Sequence, residues 1–565
     1  MKKKITLSLL LIASSLSFVF ARGAQELVRS GHWVYDAVTA ITLEAGIRNF
    51  ADCAPLTISE IKSYLSEIDY DSLSASGKKQ WNRIQSYFDE TNISFSSDLI
   101  SLSAEPSVNL EGYYKTNDDI DWVYDRYSRN HLIDIPLTIS VKDYVTLGTE
   151  IHLSENKGMS LHNDNYTNIP SKETEVDVNF PEYGYLSTGY KFSEKTGISF
   201  QLGMGEQSIG RTETGSIILS DYMTGASYGK LALYSPNFKY TYDVIQLNVD
   251  KYMYFHEFDA RFFKKFTFTF LEATLTNAPL ELRYMNPLTI FHGSAPWRDY
   301  DSDDAHNGEF MGLRLEWTPV RYLRLFGTFA MNQYQVPYEK RDFADSLTPN
   351  SLGGQGGFEA MIPAFDGYIN IAAEGYYAQP TLYIKQSPDW SFFRTYTDNI
   401  GDNSVFYEWT GSPFGPDTIA GELSVGYENP GVWSVDLIYL FLCQGNYAEK
   451  SIFYDEASKT WYSSTDGDND DISGDDHTPD NWPYPTTTNG KASDEQTPTG
   501  VAKYTHRISV RGKWQATDWL SFTFQPSFVA ILNNTGSSEN AVHEKGNNEF
   551  GFEAAFSMKL SLPNK

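Results

Sequence analysis

Charged residues of both signs recur along segments of this chain in which apolar and polar residues alternate. An alternating segment can shelter one of its faces, and charges on a sheltered face must be paired or hydrated. The pattern predicts an internal network of ion pairs, and a passage that selects and binds a ligand is the alternative interpretation. The charges concerned are Arg314, Glu316, Arg324, Arg507, Arg511 and Lys513.

Aromatic and acidic residues are mixed in two stretches that lie between alternating segments. Aromatic faces can stack on sugar rings, and carboxylates can bind sugar hydroxyls or Ca²⁺. The acidic run at residues 466–471 lacks the central glycine and the terminal glutamate of an EF-hand loop, so we expect a solvated acidic loop there and predict no metal site. The candidate polysaccharide-binding residues are Trp297, Asp299, Tyr300, Asp301, Trp482 and Tyr484.

The histidines and cysteines give no sign of catalysis. None of the ten histidines stands beside a nucleophile elbow, an HExxH motif or a paired Cys/His motif. His152 and His506 fall on predicted strands, where a structural role is the simpler interpretation. Cys53 and Cys443 lie far apart in unlike contexts, so they indicate neither a disulfide framework nor a thiolate metal site. The sequence therefore predicts a protein that is not an enzyme and has no cofactor.

The elements that carry the charged residues are predicted β-strands. In residues 308–334, leucine, phenylalanine and methionine alternate with arginine, glutamate and threonine on both sides of a turn that contains Pro319. A period of two indicates strands, and the short turn indicates a hairpin. In a closed soluble sheet the apolar face would point inward and the charged face outward. In a membrane barrel the apolar face contacts lipid on the outside and the charged face lines a polar lumen. The residues predicted to face lipid are Leu313, Leu315, Phe329, Leu437 and Phe556.

The connections between the predicted strands alternate in length. We expect about eighteen strands, each near the 9 to 11 residues that cross a bilayer obliquely. Short connections such as Lys142-Asp143 and Lys264-Lys265 alternate with mostly long ones, as in outer-membrane barrels, whose short turns face the periplasm. A large soluble sandwich or propeller is the rival interpretation and does not predict this alternation. The predicted fold is all-β: an antiparallel transmembrane β-barrel with a small N-terminal helical region in the periplasm or as a plug.

Composition and charge patterning divide the chain into three parts. Three lysines precede an apolar run, which predicts a signal peptide over residues 1–21. A helical region is predicted over residues 22–95, and the barrel over residues 96–565. The formal net charge of −29 disfavours a nucleic-acid partner. We expect the protein in the outer membrane of a diderm bacterium, with lipid and the barrel-assembly machinery as partners.

Helix start and stop signals mark the N-terminal region. Thr57 and Glu60 form a capping-box pattern that predicts the start of a helix, and Gly46 is a predicted helix stop. The predicted helices cover residues 34–45, 58–65 and 78–88.

Two stretches of the chain resemble the Wzi family of capsule-assembly outer-membrane proteins. One is the N-terminal region from Gly31 to Ile61, which also resembles part of an S-layer homology module that grips cell-wall polymers. The other runs from Leu280 to Leu288 and continues with Phe291-His292 and with residues 307–313. The resemblance implies a plugged barrel that binds capsular or related surface polysaccharide at its outer face and helps to anchor it, without catalysis.

Three functions follow from this sequence. The first is a non-catalytic barrel that binds or anchors surface polysaccharide, the second is a diffusion porin, and the third is a wall-tethered or adhesive barrel. If charges of both signs face inward and the helices from His32 to Phe88 lie at the periplasmic mouth, the lumen should be obstructed. Obstruction favours the first function.

Overall fold

The computed structural model describes most of the chain after residue 21. The described ranges are 22–91, 93–155, 166–177, 181–294, 307–334, 336–337, 349–385, 391–397, 405–449, 454–455, 460–461, 496–535 and 543–562. Within these ranges, none of the helices has both the length and the apolar character that a membrane-spanning helix requires.

A closed barrel of 18 antiparallel strands forms most of the molecule, which confirms the predicted fold. The strands are β1 (Ser107–Lys115), β2 (Ile133–Val141), β3 (Val145–Leu153), β4 (Gly184–Lys191), β5 (Gly197–Gly205), β6 (Ala226–Tyr234), β7 (Phe238–Asn248), β8 (Lys251–Phe262), β9 (Phe266–Asn277), β10 (Asn307–Trp317), β11 (Leu323–Gln333), β12 (Ser351–Ala364), β13 (Gly367–Ala378), β14 (Thr418–Asn429), β15 (Trp433–Gln444), β16 (Lys503–Thr517), β17 (Leu520–Leu532) and β18 (Glu549–Ser561).

The barrel closes between its last strand and its first. Strand β18 pairs with β1, for example Phe556 opposite Gly112. Strand β1 pairs with β2 over only a short stretch. The preceding segment Ile100–Ala104 continues the pairing along β2. Two consecutive segments therefore act as one long first strand, and no edge of the sheet is left open at this seam.

The two ends of the barrel differ. At the short-turn end, consecutive strands are joined by a few residues, such as 142–144 between β2 and β3 and 263–265 between β8 and β9. At the long-loop end most connections are long, such as 206–225 and 379–417. This difference matches the alternation of connection lengths in the sequence.

The faces of the strands follow the predicted alternation. Leu315, Phe329, Leu437 and Phe556 are exposed on the outside of the barrel, and Leu313 is half-buried there. Arg314 and Arg324, which alternate with these leucines, are only 2% and 1% exposed because they point into the filled interior. The outer surface is therefore apolar and the interior charged, as a barrel in lipid requires.

Three helices form a compact unit before the barrel. They are α1 (Trp33–Ala45), α2 (Ile58–Leu65) and α3 (Ala75–Asp89). Thr57 caps α2 by accepting a hydrogen bond from the Glu60 amide at 3.1 Å, and Gly46 ends α1 in the left-handed conformation with φ of 71°. Helix α3 begins one turn before the predicted residue 78, because Ser74 accepts a hydrogen bond from the Gly77 amide and caps the helix there.

The helical unit has its own hydrophobic core. Apolar residues of all three helices pack together at zero exposure, among them Val38 of α1, Ile61 of α2 and Ile84 of α3. The antiparallel pair Leu27–Val28 and Leu56–Thr57 joins the segments before α1 and α2. Burial of these apolar side chains holds the three helices together, and Ala40 and Leu43 of α1 also pack against Met361 and Tyr368 of the wall.

This helical unit fills the lumen at the short-turn end. The Tyr322 amide donates a hydrogen bond to the Leu43 carbonyl at 2.8 Å, and the Arg48 amide donates to the carbonyl of Lys264 at 2.7 Å. A fully buried ion pair joins Lys239 of the wall to Glu60 of α2 at 2.8 Å. Turns and wall therefore hold the unit across the mouth of the barrel.

Loops from the long-loop end fold inward to meet the helical unit. Ile217, Ile218 and Leu219 of the loop at 206–225 join a buried apolar cluster with Phe310 of the wall and with residues of the loop at 379–417. The Gly210 amide of the same loop donates to the Asp52 carbonyl at 2.9 Å. Helices and charges were expected to obstruct the lumen, and the structure adds an apolar loop plug that the sequence analysis did not predict.

The remaining described elements are short. They are the strands Ile93–Ser96, Phe393–Thr397, Val405–Trp409, Tyr454–Asp455 and Thr460–Trp461, and the helical turns Tyr70–Ser72, Glu173–Glu175, Phe291–Ser294 and Asn446–Glu449.

Candidate functional site: polar cavities inside the barrel

A buried ion-pair network crosses the interface between the barrel wall and the helical unit. Glu316 of β10 accepts hydrogen bonds from Arg314 Nε at 3.0 Å and from Arg324 Nη2 at 2.7 Å. Arg48 of the helical unit also binds the Glu316 carboxylate. Three guanidinium groups thus surround one carboxylate away from water, which is an arrangement for rigid attachment and not for binding a ligand.

Arg211 connects three parts of the molecule. Its guanidinium lies in the inward loop and donates to Glu359 of β12, with Nε 2.9 Å and Nη2 2.8 Å from Oε1. The same group binds Asp36 on α1. Loop, wall and helix are therefore joined by one side chain, which borders the cavities described below.

The other three predicted lumen charges lie on a different part of the wall. Arg507, Arg511 and Lys513 share the inward face of β16, and Arg511 Nε donates to Gln525 of β17 at 2.8 Å. Arg511 borders two cavities and Lys513 one. The structure thus separates the six charges into a network around Glu316 and a row on β16, of which Arg511 and Lys513 border cavities.

Three adjacent polar cavities occupy the lumen between the helical unit and the wall. The loop-side cavity has a volume of 580 Å³, the wall cavity 400 Å³ and the turn-side cavity 890 Å³. The first turn of α1 lies where the three cavities meet. His32 borders the loop-side and turn-side cavities, and Trp33 borders the wall and turn-side cavities. Asp36 borders the loop-side and wall cavities. Movement of this turn would change how the cavities connect.

Aromatic rings and arginines line the loop-side cavity. Tyr127 and Tyr222 meet edge to face with ring centroids 4.9 Å apart, and the Arg126 guanidinium lies 4.6 Å from the Tyr127 ring centroid. Carboxylates of Glu206 and Asp221 border the same space. Flat apolar rings beside charged hydrogen-bonding groups form a surface suited to a polar ring-shaped ligand such as a sugar.

His32 and Glu213 are two of the titratable groups at the cavities whose pKa values are shifted. Burial, reinforced by the positive charges of Arg22 and Arg83, lowers the pKa of His32 to about 3. Burial and the nearby Glu359 carboxylate raise the pKa of Glu213, in the inward loop, to about 8. His32 is therefore neutral at pH 7, and its Nδ1 can accept the hydrogen bond from the Val34 amide that caps α1.

This shift predicts an acid-dependent loss of stability. The unfolded chain protonates His32 near its ordinary pKa of 6.5, whereas the folded protein resists protonation, so stability should fall as the pH drops from about 6.5 towards 3. A His32→Asn variant keeps a capping side chain without a titrating ring. Urea unfolding in detergent as a function of pH should give a flatter profile for His32→Asn than for the wild type. Profiles that run parallel over this range would contradict the prediction.

The candidate polysaccharide-binding residues lie outside the described residues. They are Trp297, Asp299, Tyr300, Asp301, Trp482 and Tyr484. The sequence analysis also missed residues that the structure brings to the cavities, above all Arg29 and Arg211. Arg29 binds Glu150 at 2.6 Å and Glu206 at 2.8 Å. No local spacing could have indicated these contacts, because their partners are distant in the chain.

The sequence analysis predicted no metal site, and it did not identify a cluster of residues of the types that bind metal ions. Two histidines and three carboxylates meet near the loop-side ends of β3 and β4. The only signal in the sequence was Glu150 and His152, which are two positions apart and so share one face of a strand.

Comparison with known proteins identifies the fold but no family. No protein-family model and no curated protein matches this chain. A solved structure of Wzi from Escherichia coli, described as a carbohydrate-binding β-barrel involved in group 1 capsule assembly, has a TM-score of 0.55 at 10% identity and covers 95% of this chain and 99% of its own. OprD of Pseudomonas aeruginosa has a TM-score of 0.36 at 10% identity, covering 81% of this chain and 95% of its own. OmpT of Vibrio cholerae has a TM-score of 0.29 at 8% identity, covering 83% and 99%.

Proposed function

We propose that this protein is a non-catalytic outer-membrane barrel that binds or anchors a surface polysaccharide. The observation that carries the proposal is the filled lumen, in which the helical unit closes one end and inward loops close much of the other. A barrel whose own chain occupies the passage is poorly suited to diffusion and well suited to presenting a rigid surface. The fold shared with a carbohydrate-binding barrel supports the same function.

The proposal assigns an orientation to the molecule. Short turns of outer-membrane barrels face the periplasm and long loops face outward, so the helical unit lies on the periplasmic side. The signal peptide over residues 1–21 would direct export, and the barrel-assembly machinery would insert the barrel into the outer membrane. The long loops, whose sequences contain the candidate polysaccharide-binding residues, then face the cell exterior, where polysaccharide is found.

A diffusion porin is the second candidate function. The three adjacent polar cavities favour it, since together they border both the short turns and the inward loops. Charged walls could pass small hydrated solutes if Arg211 and the first turn of α1 moved. Conductance in planar bilayers separates the two functions, because a filled barrel should pass little current.

Binding to polysaccharide is the direct test. Purified barrel should bind polysaccharide extracted from the surface of its own source cells, measured by the mobility of the labelled glycan in native electrophoresis. A Trp482→Ala, Tyr484→Ala double variant should bind at least about tenfold more weakly, because a tenfold loss is what removal of even one good aromatic contact causes.

Trp433→Ala is the matched control. Trp433 is exposed on the outside of the barrel at the beginning of β15, next to the short turn at 430–432. The Trp433→Ala variant should therefore bind polysaccharide as the wild type does. Equal loss in control and double variant, or no binding by the wild type, would count against polysaccharide recognition by these loops.

A further inference from the structure

Two histidines and three carboxylates converge inside the barrel near its long-loop end. His131 lies two residues before the start of β2, Glu150 and His152 lie on the inward face of β3, and Asp177 and Glu182 precede β4. They come from three separate segments of the chain. The side chains of His152 and Glu150 are 1% and 2% exposed, whereas those of His131 and Glu182 are 19% and 10% exposed and border the loop-side cavity.

The side-chain atoms of this cluster point at one another. Glu150 Oε1 lies 2.8 Å from His131 Nδ1 and 3.6 Å from His152 Nδ1. His131 Nε2 lies 3.7 Å from Glu182 Oε2, and the two imidazole centroids are 4.4 Å apart. One ligand atom from each of His131, Glu150 and His152 falls within 4.8 Å of the others, and the same holds for His152, Asp177 and Glu182.

The chemistry of this donor set is that of a transition-metal site. Imidazole nitrogen combined with carboxylate oxygen suits zinc and neighbouring first-row ions, whereas Ca²⁺ and Mg²⁺ prefer oxygen ligands alone. Three carboxylates also bring negative charge into a sheltered site, and Arg29 is the cation that binds Glu150 directly, at 2.6 Å.

We propose that His131, Glu150 and His152 form a binding site for one divalent first-row transition-metal ion, such as zinc, with Asp177 and Glu182 beside it. Zinc ligands lie roughly 2.0–2.2 Å from the ion, which puts tetrahedral ligand atoms about 3.4 Å apart. The Nδ1 atoms of His131 and His152 lie 2.8 Å and 3.6 Å from Glu150 Oε1, which is close to this value. The bound ion would join the segment before β2 to strand β3.

The site is also connected to the helical unit. Glu150 presents Oε1 to the histidines and Oε2 to Arg29, whose guanidinium also binds Glu206 at 2.8 Å. Arg29 borders the loop-side and turn-side cavities. An ion at the cluster would therefore fix the carboxylate that holds the N-terminal segment against the wall, and its role would be structural.

Metal content of the full-length protein tests the proposal. Barrel purified in detergent without a histidine tag is stripped with EDTA, incubated with zinc, passed through gel filtration and analysed by mass spectrometry. We expect one zinc ion per chain. Competition with a chromogenic chelator should show affinity at least about tenfold lower for His131→Ala and for His152→Ala than for the wild type. Heat-modifiable migration in gels reports whether each variant is folded.

His256→Ala is the matched control for loss of a buried imidazole. His256 also faces the interior and pairs with Glu272 at 3.1 Å, so its removal should leave one zinc ion per chain and unchanged affinity. Absence of stoichiometric zinc in the wild type, or equal affinity in folded His152→Ala, would overturn the proposal. If the histidine variants do not fold, X-ray absorption of zinc-loaded wild type decides: scattering from two imidazoles supports the site, and its absence overturns it.

Discussion

A barrel lacking residues 24–88 should insert into lipid and conduct more current than the full-length protein. The strands of the deleted unit pair only with each other, so its removal breaks no strand pairing of the wall. Wall charges that now have partners on the unit, such as Lys239 with Glu60 and Arg261 with Glu67, would be hydrated by water entering the lumen. The short-turn mouth would then be open.

The gain in conductance should stop short of that of an empty barrel. The apolar cluster around Ile217, Ile218 and Leu219 belongs to loops that the deletion leaves in place. Single-channel recording in planar bilayers measures the change, and heat-modifiable migration in gels reports whether the truncated barrel is folded. A full-length Leu437→Ala variant, which changes only the outward face of β15, is the control and should stay close to the wild type.

Equal and large conductance from the full-length and truncated proteins would contradict the filled lumen. That result would favour the porin function, because it would mean that the helical unit does not obstruct the passage. Equal and negligible conductance would instead assign the obstruction to the inward loops alone.

Replacing Glu316 by glutamine should destabilise the barrel more than any comparable surface change. Its carboxylate binds Arg314, Arg324 and Arg48, all almost completely buried. Removing the charge leaves three buried guanidinium groups with, among the described residues, only the carboxylates of Asp52 and Glu359 beside them. Breaking a buried ion pair in this way costs about 3–5 kcal/mol. The free energy of unfolding, measured by urea titration in detergent with tryptophan fluorescence, should fall by that amount.

Glu428→Gln is the matched control for this substitution. Glu428 also pairs a wall carboxylate with the helical unit, but its contact with Arg83 is 3.4 Å long and its side chain is 25% exposed. Solvent screening should limit the loss to about 1 kcal/mol or less. Similar losses from Glu316→Gln and Glu428→Gln would show that burial does not set the strength of these pairs.

The local elements of this protein could be predicted from sequence because their signals are local. A period of two decided which residues of β10 and β11 face lipid, and Leu315 and Arg314 lie on the expected sides. Thr57 and Gly46 marked helix ends through hydrogen bonds and backbone angles within a few residues. Connection lengths then predicted closure, since alternating short turns and long loops are the connectivity of a membrane barrel.

Only the tertiary structure decided which of these residues meet. Arg211 and Asp36 are 175 positions apart, and Arg48 and Glu316 are 268 apart. The inward fold of the loop at 206–225 likewise depends on an apolar cluster assembled from distant segments. Periodicity determines which face of the sheet a side chain points to. Which residue that side chain contacts depends on which strands and loops the closed barrel brings next to it. The ion pairs, cavities and histidine cluster are therefore products of barrel closure and of the chain packed inside it.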